Sequence, residues 1–388
     1  MGDLSRWAVL IAVFLCIYGA LHLYLLIKLR RSFYVEGWSY ILLLLVLLFL
    51  MSAPVQARLM HHQGYELSAL LMYWIGFLWM GNLLLFTCIS IPIDLYHLTM
   101  ATLQQLLNAD WTHLMLARRQ NVFLTAMLAG ALMIYGAVAA YRVPLHHFTL
   151  TTAKLPHGME RLRIVHLADL HLGPMTYPGR LGPVLTAVRT AQPDLLVSTG
   201  DLVDGPLWNA HALAGQLKAL PTPMGKFAVT GNFEFHNDIE GALQFTQSAG
   251  FVALRGTAVA LNDTLVVAGV DDPAGNSGHG QMAEARLLSE LRDNQFAILL
   301  KHRPALGSSE GRRFDLQLSG HTHAGQIFPF TLLARWFSAH PAGVHRIGPQ
   351  HHLHVSRGTG TWGPPIRIGA APEITIIDLT ATTTETVP

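Results

Sequence analysis

Two kinds of hydrophobic pattern divide the chain. Over the first third, long apolar segments are separated by short polar connections, and over the remainder short apolar runs alternate with polar turns. Each long segment is close to the ~20 apolar residues that a helix needs to cross a bilayer, which favours membrane helices over buried helices of a soluble domain. The pattern predicts an all-α, four-helix transmembrane domain at 1–141, with spans at about 7–27, 38–55, 67–93 and 122–141.

Basic residues are distributed unevenly among the loops that join these segments. One side of the predicted membrane domain has Lys28, Arg30, Arg31, Arg118 and Arg119, and the other has Arg6, Arg58 and Arg142. Cytoplasmic loops have the excess of Lys and Arg, so we predict that both termini lie outside. In a bacterium this describes a multi-pass, integral inner-membrane protein whose C-terminal domain is periplasmic.

An amphipathic pattern lies between the third and fourth apolar segments. Leu103, Leu106, Leu107, Trp111 and Leu114 recur at helical spacing. This predicts a helix that lies on the membrane or on its neighbours. A solvated helix packed on another subunit is the alternative.

The hydrophobic pattern of the sequence changes after residue 141. Residues 142–160 are predicted to be a connector, and β-rich runs then alternate with helical patterns over 161–388. Such alternation, followed by closely spaced strands, predicts a mixed α/β sandwich with helices outside. The predicted strands are 162–167, 195–198, 227–230, 265–270, 296–301, 316–319, 352–355 and 374–377, and the predicted helices lie near 179–191, 209–219, 240–248 and 281–292.

Composition narrows the class of protein. Hydrophobic residues make up 51% of the chain and charged residues only 13%, which is too apolar for an ordinary soluble protein. The net charge of +2 and the lack of a basic run interleaved with aromatic residues give no indication of nucleic-acid binding. Cys16 and Cys88 both lie in apolar segments, which excludes a disulfide framework and a thiolate metal site from the polar half.

Side chains that bind metal or phosphate follow the ends of five predicted strands. Each one alone has an ordinary explanation, such as a helix cap or a turn. Their repetition favours one shared site, because functional sites of layered α/β folds lie beyond the carboxyl ends of strands. These residues are Asp169 and His171, Asp201 and Asp204, Asn232, His302, and the pair His321 and His323.

Nitrogen and oxygen ligands without sulfur suit Mn, Fe, Zn or Mg. Two such ions about 3.5–4 Å apart can generate hydroxide from water and bind both the attacking and the leaving oxygen of a phosphoester. A carboxylate bridges such a pair, and Asp201 is the candidate for this bridge.

The motifs Asp169-x-His171, Gly200-Asp201-x-x-Asp204, Gly231-Asn232, His302 and Gly320-His321-x-His323 resemble the calcineurin-like metallophosphoesterase superfamily. Within it, the segments 270–273, 326–330 and 356–360 resemble the membrane-anchored bacterial branch and its animal relatives, transmembrane proteins with a metallophosphoesterase domain. The resemblance implies a four-layer α/β fold, a β-sandwich flanked by helices, with a dimetal site at one edge.

The resemblance also implies roles for individual residues. Asp169, His171 and His323 would hold one divalent ion, and Asn232, His302 and His321 the other, with Asp201 between them. The implied reaction is hydrolysis of a phosphomonoester or phosphodiester by metal-bound hydroxide, with Mn, Fe or Zn as the ions.

One position departs from the family in a way that affects catalysis. The family has Gly-Asn-His-Glu or Gly-Asn-His-Asp, whose histidine steadies the transition state or protonates the leaving group, and this chain has Phe233. General acid catalysis is typically worth about 10²- to 10⁴-fold, so we predict slow turnover, a preference for good leaving groups, or retention of metal without hydrolysis. His236 is a candidate substitute, with a surface role as the alternative. Ala324 replaces a frequent glycine and is expected to change packing only.

Two further features concern the substrate. Arg357 is a candidate for binding its phosphate through a bidentate guanidinium, with a surface salt bridge as the alternative. The apolar run 327–337 is predicted to be core or an element that enters the headgroup layer and brings the site to a lipid.

The leading hypothesis from the sequence is a membrane-anchored dimetal phosphoesterase that acts at the outer face on an envelope lipid or another phosphorylated envelope compound. A catalytically impaired metal-binding or assembly module is the alternative, because of Phe233. A transporter with an appended regulatory domain would need more intramembrane polar groups than His22 and Asn82.

Overall fold

The computed structural model describes residues 3–175, 179–207, 209–275, 280–307 and 313–382. The chain forms two compact units, Met1–Ala137 and Val138–Pro388. The first unit is helical and the second is built on two β-sheets.

The first unit is built from long apolar helices, the last of which continues to Tyr141, past the boundary at Ala137. They are α1 (Asp3–Phe33), α2 (Gly37–His62), α3 (Glu66–Leu107) and α4 (Arg118–Tyr141). All four are long and apolar enough to cross a membrane, and the four predicted spans fall within them.

The amphipathic helix predicted near residues 103–114 is wrong as a separate element. Leu103 to Leu107 form the last turns of α3, and Thr112–Leu114 form a single 3-10 turn. Neither glycine nor proline occurs between Ile93 and Asn108, so nothing in the sequence interrupts the helix. It ends at Asn108, which adopts the left-handed conformation.

Polar side chains of the first unit are paired with one another. Trp79 Nε1 of α3 donates a 2.9 Å hydrogen bond to His22 Nε2 of α1, so His22 joins helices as an interhelical hydrogen bonder. Asp94 of α3 accepts from Lys28 Nζ at 2.6 Å and from Asn121 Nδ2 of α4 at 3.0 Å. These bonds link three helices through one carboxylate.

The second unit contains the following elements in chain order. The strands are β1 (Leu145–Thr152), β2 (Arg161–Leu167), β3 (Leu195–Thr199), β4 (Lys226–Val229), β5 (Val252–Ala253), β6 (Thr257–Ala260), β7 (Leu265–Gly269), β8 (Phe296–Leu300), β9 (Leu316–Ser319), β10 (Gly343–Arg346), β11 (His352–Val355) and β12 (Ile374–Ala381). The helices are α5 (Leu181–Ala191), α6 (Ala210–Lys218), α7 (Asn232–His236), α8 (Ile239–Ser248), α9 (Gly280–Ser289) and α10 (Phe330–Phe337).

The strands form two six-stranded sheets, with the orders β1-β12-β2-β3-β4-β5 and β10-β11-β9-β8-β7-β6. Ile164 and Val197 of the first sheet share a buried core with Ile298 of the second. Because side chains alternate across a strand, the neighbouring Val165 faces the opposite way, into a second core with α5, α6 and α8. The outer face of the second sheet packs on Leu287 of α9. The predicted four-layer sandwich is confirmed.

The connector predicted at 142–160 contains a strand. Leu145–Thr152 forms β1, which pairs in parallel with β12 along its full length. Its residues alternate between exposed and half-buried, as in a strand with one face against a core, and the histidines at 146 and 147 obscure that period in the sequence. The sequence also did not predict β5, β6, β10, α7 and α10.

Candidate metal centre

The topology collects loops from both sheets at one edge. Strands β2, β3 and β4 run parallel, as do β7, β8 and β9, so the carboxyl ends of each set lie side by side. All seven predicted metal ligands lie in the loops that follow these ends. Asp169 and His171 follow β2, Asp201 follows β3, Asn232 follows β4, His302 follows β8, and His321 and His323 follow β9.

Side chains from these loops form two groups whose ligand atoms lie within 4.8 Å of one another. The first group is Asp169, His171 and His323, and the second is Asp201, His302 and His321. In the first group, the Nε2 atoms of His171 and His323 are 3.0 Å apart. In the second, His321 Nδ1 lies 3.1 Å from His302 Nε2.

Asp201 and Asn232 complete this geometry. Oδ2 of Asp201 lies 3.2 Å from His302 Nε2 and 3.7 Å from His171 Nε2, so this carboxylate reaches both groups. Oδ1 of Asn232 lies 3.1 Å from His302 Nε2. The structure thus brings all seven residues together.

The histidine tautomers suit metal binding. His302 Nδ1 lies 2.8 Å from the carbonyl oxygen of Thr199 and donates to it, which leaves Nε2 as the nitrogen with a lone pair toward the centre. His171 Nδ1 lies 3.3 Å from Asp204 Oδ2, an ion-pair distance that places an acceptor beside its outer nitrogen. Such partners on the outer nitrogen are typical of metal-binding histidines.

The backbone of these loops is unusual. Asp169, His171, Asp201, His321 and His323 all have φ between 48° and 72°, in the left-handed region. This region is costly for residues other than glycine, at about 1–3 kcal/mol each, and strain of this kind concentrates at functional sites. The surrounding contacts must hold these conformations.

Close packing between loops holds the carboxylates in place. A Cβ on Gly320 would overlap the Asp169 carboxylate, and one on Gly231 would overlap that of Asp201. The backbone N–H of His321 donates to both Asp169 oxygens, at 2.9 and 3.0 Å. Glycine is therefore required at positions 231 and 320, because any side chain there would overlap a carboxylate.

The electrostatic field of the site favours positive charge between the carboxylates. Burial lowers the pKa of His302, but the charges of Asp201 and Asp169 outweigh it and raise this pKa to about 10. The negative charges that stabilise this proton would also stabilise a divalent cation at the same place. Burial and the charge of His302 lower the pKa of His321 to about 4, which keeps its imidazole in the neutral form that binds metal.

Glu234 supports the centre without facing it. Its buried carboxylate accepts hydrogen bonds from the backbone N–H groups of four residues, which belong to the loops after β3 and β4. They are Gly231 at 2.8 Å, Asp201 at 3.1 Å, Leu202 at 2.7 Å and Val203 at 3.2 Å. Burial, with the charge of Asp201, raises the pKa of Glu234 to about 7. Sequence reasoning assigned Glu234 no role, and its only signal was the Gly-Asn-x-Glu spacing.

Arg367 is a second supporting residue that sequence reasoning missed. Its side chain is 1% exposed, and its guanidinium donates to carbonyl oxygens of His323, Arg357, Gly358 and Gly360. These bonds fix the loop that contains His323 against the 356–360 loop. An isolated arginine in a Pro-Ile-Arg-Ile segment has no pattern that would reveal this.

Phe233 lies at the rim of the centre. Its ring is 4.9 Å from that of His171, edge-on, and 6.2 Å from that of Trp362. The ring of His236 is 6.3 Å from that of Phe233, and His236 is in neither group of candidate metal ligands. Burial lowers its pKa. An aromatic surface therefore occupies the position of the expected histidine.

Arg357, the candidate phosphate ligand, is engaged by protein groups. Its Nε lies 3.0 Å from Glu373 Oε2, and a terminal nitrogen lies 3.0 Å from His146 Nε2. Glu373 is buried, so this ion pair differs from the surface salt bridge that was the alternative, and phosphate binding by Arg357 stays a prediction.

The sequence matches known proteins, and the family match lies within the second unit, which is called the catalytic unit below. Residues 162–325 match the family model of calcineurin-like phosphoesterases. An uncharacterized metallophosphoesterase of Aquifex aeolicus is 38% identical to this chain over 66% of this chain and 97% of that protein. The chain belongs to the calcineurin-like metallophosphoesterase family. The resemblance inferred from the motifs is confirmed.

Two further metallophosphoesterases illustrate its relatives. A Bacillus subtilis metallophosphoesterase is 32% identical over 66% of this chain and 94% of its own length. A transmembrane protein with metallophosphoesterase domain from Danio rerio is 33% identical over 67% of this chain, and the match spans 63% of that relative. Family membership makes this chain a metal-dependent hydrolase, and its four apolar helices indicate membrane association.

Proposed function

We propose that this metallophosphoesterase is anchored in the membrane and hydrolyses a phosphomonoester or phosphodiester at a centre of two divalent ions. The observation that supports this best is the pair of ligand groups with Asp201 in reach of both. Asp169, His171 and His323 hold one ion, Asn232, His302 and His321 hold the other, and Asp201 lies between them.

The donor set fits Mn, Fe or Zn, because it consists of imidazole, carboxylate and amide groups. When bound, two such ions neutralise phosphate oxygens and lower the pKa of water. The protein residues orient and hold these groups. Thr199 and Asp204 fix the imidazoles of His302 and His171, and Glu234 fixes the loop that presents Asp201.

Phe233 defines the leaving-group side of the reaction. A phenyl group neither donates a proton nor forms a strong hydrogen bond, so the leaving oxygen departs without help from this position. We therefore expect the rate to depend steeply on the acidity of the leaving group, with aryl esters favoured over alkyl esters.

The test of this activity uses the full chain in lipid nanodiscs. Metal content and hydrolysis of bis(p-nitrophenyl) phosphate are measured after loading with Mn, Fe or Zn. Asp201→Asn removes the shared charge and keeps the shape, so we expect at least a hundredfold loss of turnover. A wild-type protein that binds two ions per chain but is no faster than Asp201→Asn would show that the centre does not hydrolyse phosphoesters.

A metal-binding or assembly module without hydrolysis is the second candidate function. Phe233 favours it, because the position that supplies an acid in the family has none here. Phe233→His separates the two candidates. A large gain on alkyl phosphodiesters with little change on aryl esters means that only the acid is missing, whereas inactivity on both substrates favours the module.

We further propose that the four helices form a multi-pass anchor and that the catalytic unit lies on the extracytoplasmic side, in the periplasm if the host is a bacterium. The excess of basic residues in the connections after the first helix and before the fourth supports this orientation. Alkaline phosphatase and green fluorescent protein fused after residue 388 report the side. Fluorescence without phosphatase activity would contradict the assignment.

A further inference from the structure

Helix α10 presents large apolar side chains to the surface. Trp336 is 70% exposed and Phe337 81% exposed, and Phe330 and Leu333 are nearly half exposed. Their spacing of three or four residues places them along one side of the helix. No residue of α10 is buried. A contiguous apolar surface of this kind marks an interaction site on a protein of this class.

The base of α10 is joined to the loop that contains Trp362. The Gln326 side chain accepts from the backbone N–H of Trp362 at 2.9 Å and donates to its carbonyl oxygen at 2.7 Å. Phe328 N–H donates to the carbonyl oxygen of Ile368 in the same loop at 3.0 Å. Phe328 and Trp362 are themselves about half exposed.

Trp362 lies near the candidate metal ligands. The ring of Trp362 lies 6.2 Å from that of Phe233, which contacts His171 at a ring distance of 4.9 Å. A ligand that binds with its apolar part along Trp362 therefore has its polar end beside the metal ligands. A ligand with a hydrocarbon tail and a phosphate head has these two parts.

The charge of this region favours an anionic partner. The sequence contains neither Asp nor Glu between Asp315 and Glu373. The same stretch contains four arginines, of which Arg335 in α10 and Arg346 in β10 are exposed. Trp, Phe and Arg together are typical of helices that lie in the headgroup region of anionic bilayers.

We propose that α10, together with Phe328 and Trp362, docks on the bilayer surface and admits phospholipid headgroups to the metal centre. Phospholipids are then the substrate class, which rests on the proposed phosphoesterase activity.

Docking is tested by a readout that does not depend on activity. The full chain with Cys16→Ser and Cys88→Ser receives an environment-sensitive fluorophore on Phe337→Cys, and the matched control has it on Val252→Cys, an exposed apolar position of β5. In nanodiscs of phosphatidylethanolamine and phosphatidylglycerol, we expect a blue shift and quenching by doxyl-labelled lipid at position 337 only. Equal spectra at both positions overturn docking. A shift that requires two copies per nanodisc identifies a second chain as the partner and also overturns it.

The substrate class is tested with lipid probes in the same nanodiscs. Fluorescent-tailed phosphatidic acid and phosphatidylglycerol serve as monoester and diester, and bis(p-nitrophenyl) phosphate serves as the soluble comparison. In the double variant Trp336→Glu and Phe337→Glu, we expect the ratio of lipid to soluble turnover to fall at least tenfold, and in Val252→Glu to stay within twofold of wild type. An unchanged ratio in the double variant overturns the proposal.

The two proposals fail in distinguishable ways. A wild-type protein that hydrolyses the soluble ester but neither lipid overturns the substrate class and leaves the phosphoesterase intact. A wild-type protein that is no faster than Asp201→Asn on the soluble ester, yet shows the blue shift at position 337, overturns the proposed activity and leaves the docking surface intact.

Discussion

Replacement of Glu234 by glutamine tests the support of the centre most directly. One carboxylate oxygen accepts from Leu202 and Val203, and the other from Gly231 and Asp201. In Glu234→Gln an amide NH₂ replaces one oxygen and faces two N–H donors. At a pH above the raised pKa of Glu234, two hydrogen bonds to a charged acceptor are therefore lost. Each is worth about 1.5–3 kcal/mol, which gives a cost of about 3–6 kcal/mol.

Thermal unfolding of the full chain, followed by intrinsic fluorescence, measures this cost. A loss of 1 kcal/mol lowers Tm by about 2–4 °C for a domain of 150–250 residues, so we expect the catalytic unit to melt at least about 6 °C lower. Metal content should fall as well, because the loop that presents Asp201 loses its anchor. Glu240→Gln, an exposed carboxylate on α8, is the matched control and should leave Tm unchanged. If Glu234→Gln melts within 1 °C of Glu240→Gln, the carboxylate does not hold these loops.

Three further changes address other parts of the molecule. Gly320→Ala places a methyl group against the Asp169 carboxylate, so metal content measured by mass spectrometry should fall at least tenfold. Gly182→Ala is the control and should leave the metal content unchanged, because the space around Gly182 is open. Burial lowers the pKa of His354 to about 3. Because its folded pKa lies below its unfolded value, stability is lost as pH falls below about 6.5. His354→Gln should therefore flatten the fall in Tm between pH 6.5 and 4, and a parallel decline in both proteins would contradict this. Asp94→Asn removes the charge that links α1, α3 and α4, so the helical unit should become more sensitive to protease in detergent, and unchanged digestion would show that the link is dispensable.

The convergence of the candidate ligands could be predicted from the sequence because their positions follow from local pattern. Each group lies directly after a short apolar run, and the carboxyl ends of neighbouring parallel strands lie at the same edge of a sheet. Asp201 and His302 were found in this way. The strands were equally visible, since buried runs of Val, Ile and Leu such as Leu195–Thr199 are short and bounded by polar residues.

The supporting residues could not be predicted because their roles are tertiary. Glu234 acts on N–H groups about thirty residues away, and Arg367 acts on carbonyl groups of loops that meet only in the folded unit. The strand β1 was missed for a related reason: its partner β12 lies more than two hundred residues later in the chain. The surface position of α10 was one of two alternatives, since an apolar run suits a core and an exposed interface equally.

The position of β12 has a consequence for biosynthesis. This strand lies between β1 and β2 and pairs with both, in parallel with the first and antiparallel with the second. Until the ribosome has added residues 374–381, two strands made early in synthesis each lack a neighbour, and unpaired strand edges promote association between chains. We therefore expect the nascent unit to be prone to association until β12 emerges. A chain cut before residue 374 keeps the sequence of its candidate metal ligands but lacks the strand that joins β1 to the sheet.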